Sequence, residues 1–272
     1  MLDSLLNQLA QDPAADIDVA EVALLLATDE YPELFVPDYM ERLDALADQV
    51  RPFQFGNLTE SVEALSEVLF EDEAFSGNAV EYYDPRNSYL NEVLDRKLGL
   101  PITLSVLAMA VGNRAGMNIV GVGLPAHFIA KAINDDEEVL FDPFHGGQVL
   151  TVQECELLVQ SKTGRPYSIT SRELQATPPG HIVMRMLNNL RGIYNQTEDF
   201  ARMARVLGRL RQLTPGDMTL RRDLGVALIR DGKAGAAIDH LRAYVDAMPD
   251  AADAAEVRKL ASRAVSEVSR WN

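Results

Sequence analysis

The first 70 residues carry apolar side chains at helical spacing. Residues 18–27 (DVAEVALLLA) follow acids suited to a helix N-terminus, and Pro32 and Pro37 punctuate the chain after them. Residues 38–50 set Met40, Leu43, Leu46 and Val50 on one face, and residues 57–70 do the same with Val62, Leu65, Val68 and Leu69. From Phe75 the texture changes to turn formers and aromatics, then to a long apolar helix. Pro101 suits the first turn of that helix, where its missing N–H leaves nothing unpaired. After Gly116 the period falls to two. NIVGVGL, HFIAKAIN and EVLFD read as strands, with the polar turn DDEE before the last, and QVLT is a candidate fourth. Residues 75–151 are therefore expected to form a helix followed by an antiparallel meander.

Residues 162–180 are proline-rich and aperiodic, which marks a linker. Beyond them the chain repeats itself. Pro215 and Pro249 lie 34 residues apart, the tetratricopeptide period. In that register Leu187, Leu190, Tyr194, Met203, Leu207 and Leu210 align with Arg221, Leu224, Leu228, Ala237, Leu241 and Tyr244. Residues 252–270 supply one more helix to close the stack. The expected organisation is a core over residues 1–180, with its N-terminal helices and linker, and helical hairpins over residues 181–272.

Charge sharpens this division. Residues 1–180 hold 30 acids against 10 Lys and Arg, whereas residues 181–272 hold 11 acids against 15. The acidic part repels phosphates, so nucleic acid is not an expected partner. The longest apolar run, residues 98–112, is shorter than the roughly 18 residues a membrane span needs. Met1 to Asp12 lacks the marks of an export signal, and a single cysteine, Cys155, forms no intrachain disulfide. A cytoplasmic protein is expected.

Chemistry concentrates in the meander. If residues 134 and 137 flank a two-residue turn, cross-strand partners sum to 271, and His127 and Asp142 fall on one sheet side, a diagonal step apart. An imidazole oriented by a carboxylate is the second half of a catalytic triad. Its nucleophile would sit at the start of the packed helix, where the dipole activates a thiol. That position reads GLPITLS and has no cysteine; Thr103 and Ser105 are the only side-chain nucleophiles there, and both are weak. Cys155 follows Asp142 in chain order and reads as a small buried hydrophobe. Arg86 and Asn87, in DPRNS, either belong to a helix cap or line a cleft beside His127. The acids at 135–138 read as a solvated hairpin tip. His127 and His145 lack zinc-ligand spacing, so neither metal nor cofactor is expected. Arg202, Arg205 and Arg209 share one helix face, which reads as solvated surface, as a groove for an acidic peptide, or as a dock for the acidic part of the same chain.

The stretches YYDPRNSYLNEVLDRKLGLPITLS, GVGLPAHF and FDPFHGG resemble the bacterial SirB-like family, within the transglutaminase-like (papain-like) superfamily. The resemblance implies an α+β, mostly helical chain: a transglutaminase-like core with a small antiparallel sheet, then tetratricopeptide repeats. His127 matches the superfamily histidine and Asp142 its aspartate, while the cysteine position falls on or near Pro101, within the run Pro101–Thr103. The implied function is a protein–protein interaction or regulatory module on a core without its nucleophile, with a protein or peptide partner. The alternative is an amide-bond hydrolase or acyltransferase using His127, Asp142 and a non-cysteine nucleophile such as Thr103.

Overall fold

The computed structural model describes residues 1–50 and 57–269; part of the stretch read as helical from sequence, residues 51–56, lies outside them. The chain divides into two compact units. One is formed by residues 14–186, the other by residues 3–13 together with 187–272.

In the first unit, α2 (Val19–Ala27) buries every residue but Glu21. Asp18 caps it, accepting from the backbone N–H of Ala20 at 2.9 Å. Helix α3 (Val36–Val50) starts earlier than its apolar stripe predicts. Pro37, which reads as punctuation, sits in its first turn, where no N–H is needed. Helix α4 (Leu58–Ser66) is capped by Asn57 and continues into a π-helical turn, Glu67–Asp72.

Next come a short strand β1 (Ser76–Gly77), a 3-10 turn (Pro85–Ser88), α5 (Leu90–Arg96) and β2 (Leu98–Gly99). Strands β1 and β2 pair in parallel, a contact between distant segments that no local pattern signals. Helix α6 (Pro101–Arg114) begins at Pro101 and packs on the sheet. Arg114 ties its far end to Asp18 at 2.6 Å and to Asp44 at 3.0 Å.

The meander forms with four strands in sequence order: β3 (Ile119–Leu124), β4 (His127–Ile133), β5 (Glu138–Asp142) and β6 (Gln148–Leu150). Asn134 N–H donates to Glu137 O, so the turn has the two-residue form, and pairs such as Ala130–Phe141 sum to 271. Helix α7 (Val152–Thr163) opens on a capping box between Thr151 and Glu154. The aperiodic stretch after it is laid onto the core. Thr177 N–H donates to Gly121 O at 2.8 Å, and its hydroxyl accepts from Gly123 N–H at 2.9 Å, which covers the free edge of β3.

The second unit holds α1 (Leu2–Gln11), α9 (Phe200–Leu213), α10 (Met218–Arg230), α11 (Ala234–Ala247) and α12 (Ala254–Ser269); α8 (Pro179–Gln196) spans the division at residue 187. Its core uses the periodic set. Leu187, Leu190, Tyr194, Met203, Leu207, Leu210, Leu224, Ala237, Leu241 and Tyr244 are all buried. Gly225 is required by packing rather than by conformation: a Cβ there would lie 2.6 Å from Leu241 of α11. Asp3 of α1 pairs with Arg209 at 2.6 Å, so the first helix is held to the repeat unit. Among the described residues, no helix is long and apolar enough to cross a membrane.

Candidate functional site

Strand β4 starts at His127 and strand β5 ends at Asp142, and the register brings their side chains together. His127 Nε2 lies 2.8 Å from Asp142 Oδ2, with each side chain 1% exposed. The backbone fixes both ends. On the β4 side, Leu124 and His127 flank the two-residue turn Pro125–Ala126, with Ala126 at φ 56°. The Arg185 guanidinium spans that turn, donating to the carbonyls of Leu124 and His127 and lying over the Phe128 ring. Burial pushes the Arg185 pKa down, the cost of a cation held in the interior to position two carbonyls.

On the β5 side, Asp142 caps the 3-10 turn Pro143–His145, with Oδ1 accepting from Phe144 N–H at 3.0 Å. Gly146 and Gly147 follow at φ 72° and 76°, the left-handed region that glycine enters without strain. This turn folds His145 back on the site. Its Nδ1 lies 2.7 Å from the same Asp142 Oδ2, and its side chain is 44% exposed. One carboxylate oxygen is therefore shared by two imidazoles, whose rings lie near parallel, 5.8 Å apart. Burial alone would raise the Asp142 carboxyl; hydrogen bonds from His127 and then His145 outweigh it and hold the group below the ordinary carboxylate range. Among the described residues, His127 Nδ1 is buried without a hydrogen-bond partner.

The other candidates are engaged in bonds of their own. Thr103 is fully buried, and its hydroxyl donates to Asn87 O at 2.8 Å while accepting from Leu100 N–H at 2.9 Å. Ser105 Oγ bonds to Pro101 O at 2.8 Å. Asn87 is buried, its amide donating to Glu81 O and accepting from Asn78, so it braces the loop before α5. Arg86 turns back onto Asp84, the cap of its own 3-10 turn. Arg202 pairs with Asp199 at 2.6 Å, beside the Asp3 pair of Arg209, and Arg205 also has a partner. Cys155 packs among Val122, Leu124, Ile129 and Leu140; burial, with Asp142 nearby, raises its thiol to about 11.

Sequence reading set His145 aside for want of zinc-ligand spacing and missed Arg185. The signal for His145 was the DPFHGG turn, which returns a side chain three residues beyond a capping aspartate. Arg185 reaches its carbonyls across 58 to 61 residues of chain, and no local pattern marks it.

A core of helices and a four-stranded meander carrying an Asp-oriented histidine, continued by antiparallel helical hairpins, defines a transglutaminase-like protein with tetratricopeptide repeats. The comparisons agree. A family model described as the transglutaminase-like superfamily matches residues 37–188, and a tetratricopeptide-repeat model matches residues 190–262. A UPF0162 protein of Xylella fastidiosa is 33% identical over 259 residues, covering 92% of this chain and 90% of its own length. SirB1 of Salmonella typhimurium is 22% identical over 81% of this chain and 82% of its own. Mouse F-box only protein 21 is 30% identical over 138 residues, which is 47% of this chain and 21% of that protein. No solved structure matches. The chain belongs to the transglutaminase-like superfamily, in its SirB-like family.

Proposed function

We propose that the protein is an interaction module: a core that keeps an oriented histidine but has lost the nucleophile, joined to repeats that hold a protein or peptide partner. The observation that carries this reading is the state of the α6 start. The candidate alcohol of Thr103 is spent on Asn87 and Leu100, and among the described residues no hydroxyl or thiol bonds to His127. Cys155, with its thiol raised to about 11, is no substitute. The single cysteine fits a cytoplasmic setting.

The partner chemistry proposed is acidic. Arg202, Arg205 and Arg209 lie along α9, and the carboxylates of Asp199 and Asp3 already sit on two of them. An acidic segment would exchange with these internal partners, so its binding should weaken as the screening length falls from about 10 Å at 0.1 M salt to about 3 Å at 1 M. Binding of a glutamate-rich peptide to the full chain, followed by anisotropy over a salt series, tests this. Loss of binding with salt and in the Arg205→Glu, Arg209→Glu variant supports it; binding indifferent to both refutes it.

The second reading, an amide hydrolase or acyltransferase, has one observation in its favour. His127 Nδ1 is buried, without a partner among the described residues, and part of a ring oriented by a carboxylate. Such a nitrogen could accept a proton from a substrate-borne nucleophile.

A further inference from the structure

We propose that His127, Asp142 and His145 form a binding site for a divalent transition-metal ion. The proposal goes beyond the interaction reading and does not depend on it. Nε2 of His127, Oδ2 of Asp142 and Nδ1 of His145 all lie within 4.8 Å of one another. Two imidazoles and one carboxylate are the donor set that iron, cobalt, nickel and zinc take, and that magnesium and calcium do not.

The two short distances to Oδ2 are compatible with ligands at right angles, and the two nitrogens lie within 4.8 Å of each other. Ligand atoms about 2.0–2.1 Å from a metal and at right angles to each other are about 2.8–3.0 Å apart. The two distances to Oδ2 are 2.8 Å and 2.7 Å. A tetrahedral ion would require them to open to about 3.3 Å.

Electrostatics points the same way. A buried carboxylate is ordinarily neutralised by a cation or a metal. Among the described residues, the ion-pair partners of Asp142 are the two imidazoles, with no Lys or Arg. The Phe144 N–H holds Oδ1, which leaves Oδ2 presented to both rings. His145, at 44% exposure, sits on the solvent side and gives the ion a way in.

Coordination through Nε2 would put the His127 ring proton on Nδ1, which has no acceptor among the described residues. That outer support is worth about 10–100-fold in affinity where it is present, so binding weaker than at a structural zinc site is expected.

The test uses untagged full-length protein, stripped with chelator and dialysed against Co²⁺, with Zn²⁺ in competition. One Co²⁺ per chain is expected, with a visible d–d band that Zn²⁺ displaces. His145→Ala should weaken binding at least about tenfold, since a ligand should matter no less than its outer partners. His145→Asp, which offers a carboxylate oxygen two bonds from Cβ as Nδ1 is, should restore it. No uptake by the wild-type protein would overturn the proposal. So would uptake that His145→Ala leaves unchanged, which would place the ion elsewhere, at His181 or His240.

Discussion

Nε2 of His127 and Oδ2 of Asp142 are 2.8 Å apart, on side chains that solvent scarcely reaches. The pairing follows from a turn. The two-residue connection at 135–136 sets the sum of paired residues to 271, and one residue more or less would put the two side chains on opposite faces. Asp142→Asn keeps the shape but removes the charge from three hydrogen bonds, those with His127, His145 and the Phe144 N–H. A bond to a charged group contributes about 1.5–3 kcal/mol against about 0.5–1.5 for a neutral one, so a stability loss of about 3–4 kcal/mol is expected in urea denaturation. An unchanged midpoint would mean that the pair holds nothing in place.

Arg185 is a positioning residue for this site. Truncation to Ala strips two buried carbonyls of their donor, and a loss of about 2–3 kcal/mol is expected. Long-range nitrogen NMR of the His127 ring should also shift, which a loss of stability alone would not cause.

In the repeats, two glycines should respond with opposite sign. Gly225→Val meets Leu241 at the helix contact, and overpacking of this kind costs about 1–3 kcal/mol. Gly208 lies in α9, and a Cβ added there would meet nothing within 4 Å. Gly208→Ala should therefore gain up to about 1 kcal/mol from helix propensity. Equal responses in urea melts would contradict this packing.

Cys155 offers a pH test. With its thiol at about 11 in the folded protein, roughly one molecule in a thousand is thiolate at pH 8. Iodoacetamide should label the native protein at least about 100-fold more slowly than a free thiol. The folded pKa lies above the unfolded value, so the stability from keeping the thiol neutral is complete below about pH 8.5 and is lost as pH rises toward 11. Cys155→Ala should remove that loss from the alkaline limb of the stability profile.

Much of this architecture is legible in the sequence because it is local. Period-two segments gave the strands, the stripes gave the helices, and the 34-residue spacing placed the hairpins, with Gly225 at a contact only glycine fits. What was not legible is long-range. The parallel β1–β2 pair, the Arg185 clamp and the Asp3–Arg209 pair join segments whose local patterns say nothing of each other. Asn87 and Thr103 illustrate the limit from the other side. Their residue types suggest chemistry, yet their hydrogen bonds are consumed in joining the loop before α5 to the start of α6.

The central claim is an oriented histidine without a nucleophile, and the most direct measurement is turnover of fluorogenic peptide amides and glutamine-donor substrates by the purified full-length protein, beside His127→Ala. The two proteins should be indistinguishable from each other and from buffer. Turnover by the wild-type chain that His127→Ala abolishes, with both proteins folded by circular dichroism, would contradict the account and make the hydrolase or acyltransferase reading the correct one.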